Sequence, residues 1–184
     1  MSLRKAEDTS ELVELLEKSA VEHLTTYRQL MARDIVSLVT IVTTDFEAMY
    51  AYKVGDYHRC LQLSTQNVDT LLCARRLQHD VPIWPNFIQL LDDDIVSLTA
   101  LMLMVNPRHH CKNYSGGTCV LQLTLSLYLM TQCQLKLHYS VTSLSQTLDY
   151  IKVAHGRIAR EWTLDHFTLK LTKRKVNLST VRMR

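Results

Sequence analysis

Apolar residues recur at three- and four-residue steps along most of the chain, the spacing that places side chains on one face of an α-helix. The first series follows Thr9 and Ser10, whose side chains can cap a helix N-terminus. The pattern predicts a first helix that ends near Arg33. Its apolar face comprises Leu12, Leu15, Leu16, Ala20, Leu24, Tyr27 and Met31.

A second helix is predicted although part of its sequence is typical of a strand. Residues 35–44 are rich in β-branched side chains, which favour strands. Helical spacing nevertheless continues through residues 45–52 to Gly55, so we predict a buried helix here. Gly55 suits the left-handed position that closes a helix, and Asp56 can cap a third helix from Tyr57 to about Arg76.

Leucine occupies most odd positions between residues 121 and 137, an alternation that is typical of a strand. We predict a fifth helix instead, from Thr118 to about Tyr139, because an unbroken strand of that length is unusual and Leu, Met and Gln favour helices. The other predicted elements are a loop at 77–86 that contains Pro82 and Pro85, a fourth helix at Phe87–Val105, a polar loop at Arg108–Gly117, a sixth helix from Ser140 to about His155 and a shorter seventh from Arg157 to Lys173.

Two short sequence segments each occur twice, and both are repeated at the same distance along the chain. The sequence DIVSL occupies residues 34–38 and again 94–98, and LQLS at residues 61–64 returns as LQLT at 121–124. A shared offset indicates two copies of a helical hairpin, about 34–76 and 94–155, each stacking on its neighbour.

The first hairpin resembles a tetratricopeptide repeat in its small residues and its turn. The matching residues are Ala48, Ala51, Tyr52, Gly55, Asp56, Tyr57 and Cys60. The resemblance implies stacked antiparallel hairpins, a groove that holds a peptide or a partner helix, and no catalysis. We therefore expect an all-α fold of six or seven helices in stacked antiparallel hairpins, as a tetratricopeptide-like solenoid or an irregular bundle. The expected partner surface consists of Tyr50, Tyr57, His58 and Arg59.

Composition agrees with one globular domain. The chain has 184 residues, of which 47% are hydrophobic and 21% charged, and this excludes a disordered chain. Six basic residues and no acid follow position 169, so we predict a domain at 1–176 and a basic tail at 177–184. No aromatic residue interleaves these charges, which disfavours nucleic acid as a partner. An RNA-binding helical protein that uses this basic C-terminus stays an alternative.

Compartment signals are consistent with the cytoplasm. The five cysteines are an odd number and do not form a disulfide framework. The N-terminus lacks an apolar signal segment, and the most apolar stretch, Ile95–Val105, is too short to cross a bilayer. We expect a cytoplasmic protein with no membrane partner.

The best metal candidates lie at and after the polar loop. They are His109, His110, Cys111 and Cys119, which are ligand types that zinc accepts. Their spacing matches no common zinc pattern, so we expect a solvated loop and no cofactor. A metal- or anion-dependent enzyme centred on residues 108–118 is the alternative from another class.

No catalytic motif stands out elsewhere in the chain. A Gly-x-Ser-x-Gly elbow is absent from the sequence, and three consecutive acids at 92–94 cannot converge on one ion from a helix. We expect a non-catalytic interaction or scaffold module for a protein or peptide partner. Both ends read as tails, which favours the terminal part of a larger protein.

Overall fold

The computed structural model describes residues 11, 13–22, 38–73, 82–83, 93–105, 120–158 and 163–182. Seven helices and a two-stranded ladder occur in these ranges, which confirms the predicted all-α fold. The elements are α1 (residues 13–22), α2 (Leu38–Lys53), α3 (Tyr57–Cys73), β1 (Pro82–Ile83), α4 (Asp93–Val105), β2 (Val120–Leu121), α5 (Gln122–Lys136), α6 (Val141–Arg157) and α7 (Thr163–Arg182).

The turn between α2 and α3 has the predicted chemistry. Gly55 has a φ of +86°, and its N–H donates to the carbonyl of Tyr52 (3.2 Å). The N–H of Asp56 donates to the carbonyl of Ala51 (2.9 Å), which completes a Schellman C-cap. The carboxylate of Asp56 then accepts from the backbone N–H of Arg59 at 3.0 Å and caps α3. Residues 38–44, which are rich in β-branched side chains, are helical, as predicted.

Helix α5 is the central element of the fold. It packs against α2, α3, α6 and α7, and 12 of its 15 residues are buried. Because this helix is buried on most sides, apolar residues can occupy nearly all of its positions. The alternation of leucines therefore does not distinguish a helix from a strand here. The helix prediction is therefore confirmed at 122–136.

The start of the fifth helix and the loop before the fourth were predicted wrongly. Val120–Leu121 forms strand β2, and it pairs antiparallel with Pro82–Ile83, inside the predicted loop. Pro82 lacks a backbone donor, so it is compatible with a strand only at an edge. The ladder is two residues long on each side, too short for sequence alternation to reveal it.

The seventh helix was predicted too short. Helix α7 runs to Arg182, so residues 177–182 continue a helix. Its buried stripe includes two threonines, Thr168 and Thr172, whose hydroxyls donate to the carbonyls of Leu164 and Thr168. A threonine that bonds its own helix can occupy a core position without an unsatisfied hydroxyl. Polar residues therefore occupy core positions of α7 and interrupt the regular spacing of its apolar residues.

The two copies of the repeated sequence segments occupy different places in the fold. Residues 61–64 lie inside α3, whereas 121–124 span the junction of β2 and α5. Helix α4 packs mainly against α7, while α5 packs mainly against α3. In the described part of the chain, α4 and α5 therefore do not form a counterpart of the α2–α3 hairpin. Residues 34–37 and 87–92 of the predicted helices lie outside the described residues.

Two polar clusters tie the helices together. In the core, Asp45 of α2 accepts from Ser126 of α5 (2.6 Å) and Asn67 of α3 (2.8 Å). Burial raises the pKa of Asp45 to about 7, although these two hydrogen bonds act to lower it. Nearer the surface, Lys175 of α7 forms an ion pair with Asp94 of α4.

The Asp94 carboxylate also accepts from the hydroxyl of Tyr128 on α5 at 3.2 Å. Its hydrogen bond with Lys175 is the main reason that its pKa lies below the usual value. This cluster connects α4, α5 and α7. None of the helices in the described part of the chain is both long and apolar enough to span a membrane.

Candidate functional site

A groove of about 300 Å³ lies between α6 and α7. The lining residues are Ile151, Lys152 and His155 from α6 and Leu169, Lys170 and Lys173 from α7. Ile151 and Leu169 are buried, whereas the three lysines and His155 are exposed. The groove therefore has an apolar floor and a cationic rim.

The two helices present their residues to the groove in the same way. Each supplies residues at positions i, i+1 and i+4, which lie on one side of an α-helix. Near one end, the rings of His155 and His166 meet edge to face, with centroids 4.8 Å apart. His155 is near the C-terminal end of α6 and His166 near the N-terminal end of α7, so the helices run antiparallel.

The positive charge of the rim is only partly compensated. Lys152 pairs with Asp149 on its own helix at 2.7 Å, and both side chains are largely exposed. Lys170 lies 5.9 Å from the ring centroid of Phe167, and that ring is itself exposed. Lys173 has no hydrogen bond or ion pair within the described part of the chain. Two ammonium groups on α7 are thus available to a ligand.

The sequences of the two helices that form the groove are predominantly basic. The sequences of α6 and α7 together contain seven lysines and arginines against two acids, Asp149 and Asp165. Asp165 is fully buried, where its carboxylate accepts from the backbone N–H of Leu121 at 2.9 Å. It therefore contributes no exposed negative charge to the groove.

The residues predicted as a partner surface do not converge. Tyr50 is half-buried, and burial raises its pKa, with the nearby carboxylates of α1 adding to the shift. Tyr57 packs on Tyr52 with ring centroids 5.7 Å apart and lies 6.0 Å from the ammonium of Lys136. Positions 50 and 52 are about 200° apart around a helix. Because Tyr57 packs on Tyr52, it lies on the opposite side of α2 from Tyr50.

Arg59, another of the four predicted residues, forms its interactions within the fold. Its guanidinium donates to one carboxylate oxygen of Glu47 at 2.6 and 3.1 Å and so ties α3 to α2. His58, between Tyr57 and Arg59, is exposed. The structure therefore gives Arg59 an internal role, and partner binding by these four residues stays a prediction.

The predicted metal candidates His109, His110, Cys111 and Cys119 lie outside the described residues, as does the whole 108–118 loop. Within the ranges that are described, no group of three or more His, Cys, Asp or Glu side chains is placed to hold a metal ion.

The α6–α7 groove was not predicted from the sequence. From the sequence, Lys170 and Lys173 lie in the predicted seventh helix, where the run of basic residues at the end of the chain begins. The available signal was the repeated pattern of an apolar residue, a lysine and a second cationic or imidazole residue, at 151, 152 and 155 and again at 169, 170 and 173. That pattern becomes informative only once α6 and α7 are known to be neighbours.

Comparisons of the chain with protein-family models, with curated proteins and with solved structures give no significant match.

Proposed function

We propose that the protein is a non-catalytic helical interaction module that binds an acidic segment of a partner protein in the groove between α6 and α7. The observation that carries this proposal is the combination of a buried apolar floor with exposed lysines, two of which have no carboxylate partner in the described part of the chain. An acidic segment with an apolar side chain complements both features.

The size of the groove supports a peptide as its occupant. A volume of about 300 Å³ is at the lower end of the range for ligand sites and suits one or two side chains. A nucleic-acid strand, in contrast, needs a cationic track along its backbone and stacking platforms. The groove is local, and its floor consists of the aliphatic residues Ile151 and Leu169.

The environments of the buried carboxylates support a non-catalytic role. Asp45 and Asp165 are almost completely buried and bond to groups of the core. A catalytic carboxylate must reach its substrate. In the described ranges, Asp45 connects α2 to α3 and α5, and Asp165 connects α7 to β2.

Charge reversal tests the proposed function. The variant changes Lys152, Lys170 and Lys173 to Glu, and binding is measured by fluorescence anisotropy with a labelled short peptide of Glu and Leu. A peptide with Gln in place of Glu is the negative probe. We expect the wild type to bind only the acidic peptide and the variant to lose this binding, because a rim charge contributes to steering and specificity.

The control variant carries the same number of charge reversals elsewhere. It changes the exposed residues Lys18, Lys53 and Lys136 to Glu, away from the groove. If the control loses binding as strongly as the groove variant, net charge alone explains the result and the site assignment is wrong. The proposed partner class is wrong if the wild type binds neither peptide but binds a single-stranded RNA, and the groove variant does not bind that RNA.

A further inference from the structure

Resting on the proposed function, we infer that the acidic group recognised by the groove is a phosphate monoester on a side chain of the partner. The argument begins with charge. Lys170 and Lys173 are three positions apart on α7, so their stems are neighbours on one side of the helix. Like charges at this spacing repel each other.

A ligand with two negative charges removes that repulsion more completely than a carboxylate does. A phosphate monoester carries about −1.5 to −2 charges at neutral pH and three strong acceptor oxygens. A carboxylate carries one charge. Each ammonium group offers three donors and no acceptor, so Lys170 and Lys173 can both donate to one phosphate.

The residues around the two lysines favour the same ligand. Lys152 is held by Asp149, so it contributes less free charge than the α7 pair. His155 is exposed on the opposite wall and offers a ring nitrogen to an anion. In the described part of the chain, Asp149 is the acid that stands beside the rim, and Lys152 already neutralises it.

The apolar floor selects for the group that bears the phosphate. Ile151 and Leu169 are buried beneath the rim, so the occupant must place apolar surface against them. A free inorganic phosphate cannot do so. A phosphorylated residue with an apolar neighbour places its phosphate at the rim and the neighbour on the floor.

The test compares three peptides that differ at one position. Labelled peptide libraries with degenerate apolar flanks carry phosphothreonine, glutamate or threonine at the centre. We expect the phosphothreonine library to bind at least about tenfold more tightly than the threonine library, because charge-assisted hydrogen bonds are lost in the latter. Inorganic phosphate at equal concentration should compete weakly.

Variants locate the phosphate on α7. Lys170→Gln and Lys173→Gln should each weaken phosphopeptide binding by about tenfold. Arg174→Gln is the matched control because Arg174 is exposed on the same helix but does not line the groove. A loss with Arg174→Gln equal to that with Lys173→Gln would overturn the assignment to the groove.

The outcomes separate this inference from the proposed function. If glutamate and phosphothreonine libraries bind equally well and both need Lys170 and Lys173, the phosphate inference fails and the acidic-segment proposal stands. If inorganic phosphate competes as strongly as the phosphopeptide, the groove binds a small anion and the inference fails. If no library binds the wild-type groove, both proposals fail.

Discussion

Replacing Asp45 by Asn should change how the stability of the protein depends on pH. The carboxyl group is buried between α2, α3 and α5, and one of its oxygens, Oδ2, has no hydrogen-bond partner among the residues that the structure describes. Burial raises its pKa from 3.8 to about 7. The folded protein therefore holds a proton on Asp45 over a pH range in which the unfolded chain has released it.

The sign and the size of the effect follow from proton linkage. Because the folded pKa is the higher one, stability from this group is fully present below about pH 3.8, falls as the pH rises, and is lost above about pH 7. The full difference is about 4 kcal/mol, since each pKa unit corresponds to about 1.4 kcal/mol. Between about pH 5 and pH 8, the loss is about 2.5 kcal/mol.

Asparagine cannot titrate, so Asp45→Asn should not show this loss. Its amide oxygen can still accept the hydrogen bonds from Ser126 and Asn67. Its amide nitrogen replaces Oδ2, for which the described part of the chain offers no hydrogen-bond partner. The desolvation cost of that nitrogen, about 1–3 kcal/mol, does not depend on pH.

Urea unfolding at several pH values measures the effect. The free energy of unfolding of Asp45→Asn minus that of the wild type should rise by about 2.5 kcal/mol from about pH 5 to pH 8. Asp69→Asn, at an exposed carboxylate on α3, is the control and should give a flat difference. Parallel curves for Asp45→Asn and the wild type would show that Asp45 is not proton-linked to folding.

Three further substitutions, two of them paired with a control variant, test the backbone and the packing by urea unfolding. Gly55→Ala should cost about 1–2 kcal/mol through its positive φ alone, since a Cβ at this position meets no atom of the described residues. Gly156→Ala is equally open but lies within α6, so it should gain up to about 1 kcal/mol. Val176 is fully buried beyond the predicted end of α7, so Val176→Ala should cost about 2 kcal/mol. Val181 is 73% exposed, so Val181→Ala should cost less than about 0.5 kcal/mol. Equal effects of the two valines would contradict the burial of the last turns. Arg157→Ala removes hydrogen bonds to the last carbonyls of α3 and should cost about 1 kcal/mol, with faster amide exchange at that helix end.

Local signals were sufficient where the structure is set by neighbouring residues. The positive φ of Gly55 and the cap at Asp56 follow from residue types that suit these positions. Ser140 caps α6 in the same way, and its side chain accepts from the N–H of Ser143. Helices that have one apolar face and a capped end were therefore predictable.

Tertiary context decided the elements that the sequence did not predict. The β1–β2 pair joins residues about 40 positions apart, and a two-residue strand has no pattern of its own. The length of α7 depends on threonines that satisfy their hydroxyls within the helix, as Thr168 and Thr172 do. The groove requires two helices to meet, which neither sequence specifies alone.

The basic segment at the end of the chain shows why a charge count cannot locate a site. Lys173 and Lys175 are two positions apart, so they point in directions about 200° apart around α7. Lys175 faces α4, where it pairs with Asp94 and lies 5.3 Å from the centroid of the buried Tyr128 ring. Lys173 faces α6 and lines the groove. The position of each lysine around α7 therefore decides its role. Lys175 holds α4 in place, whereas Lys173 lies on the surface where we propose that the partner binds.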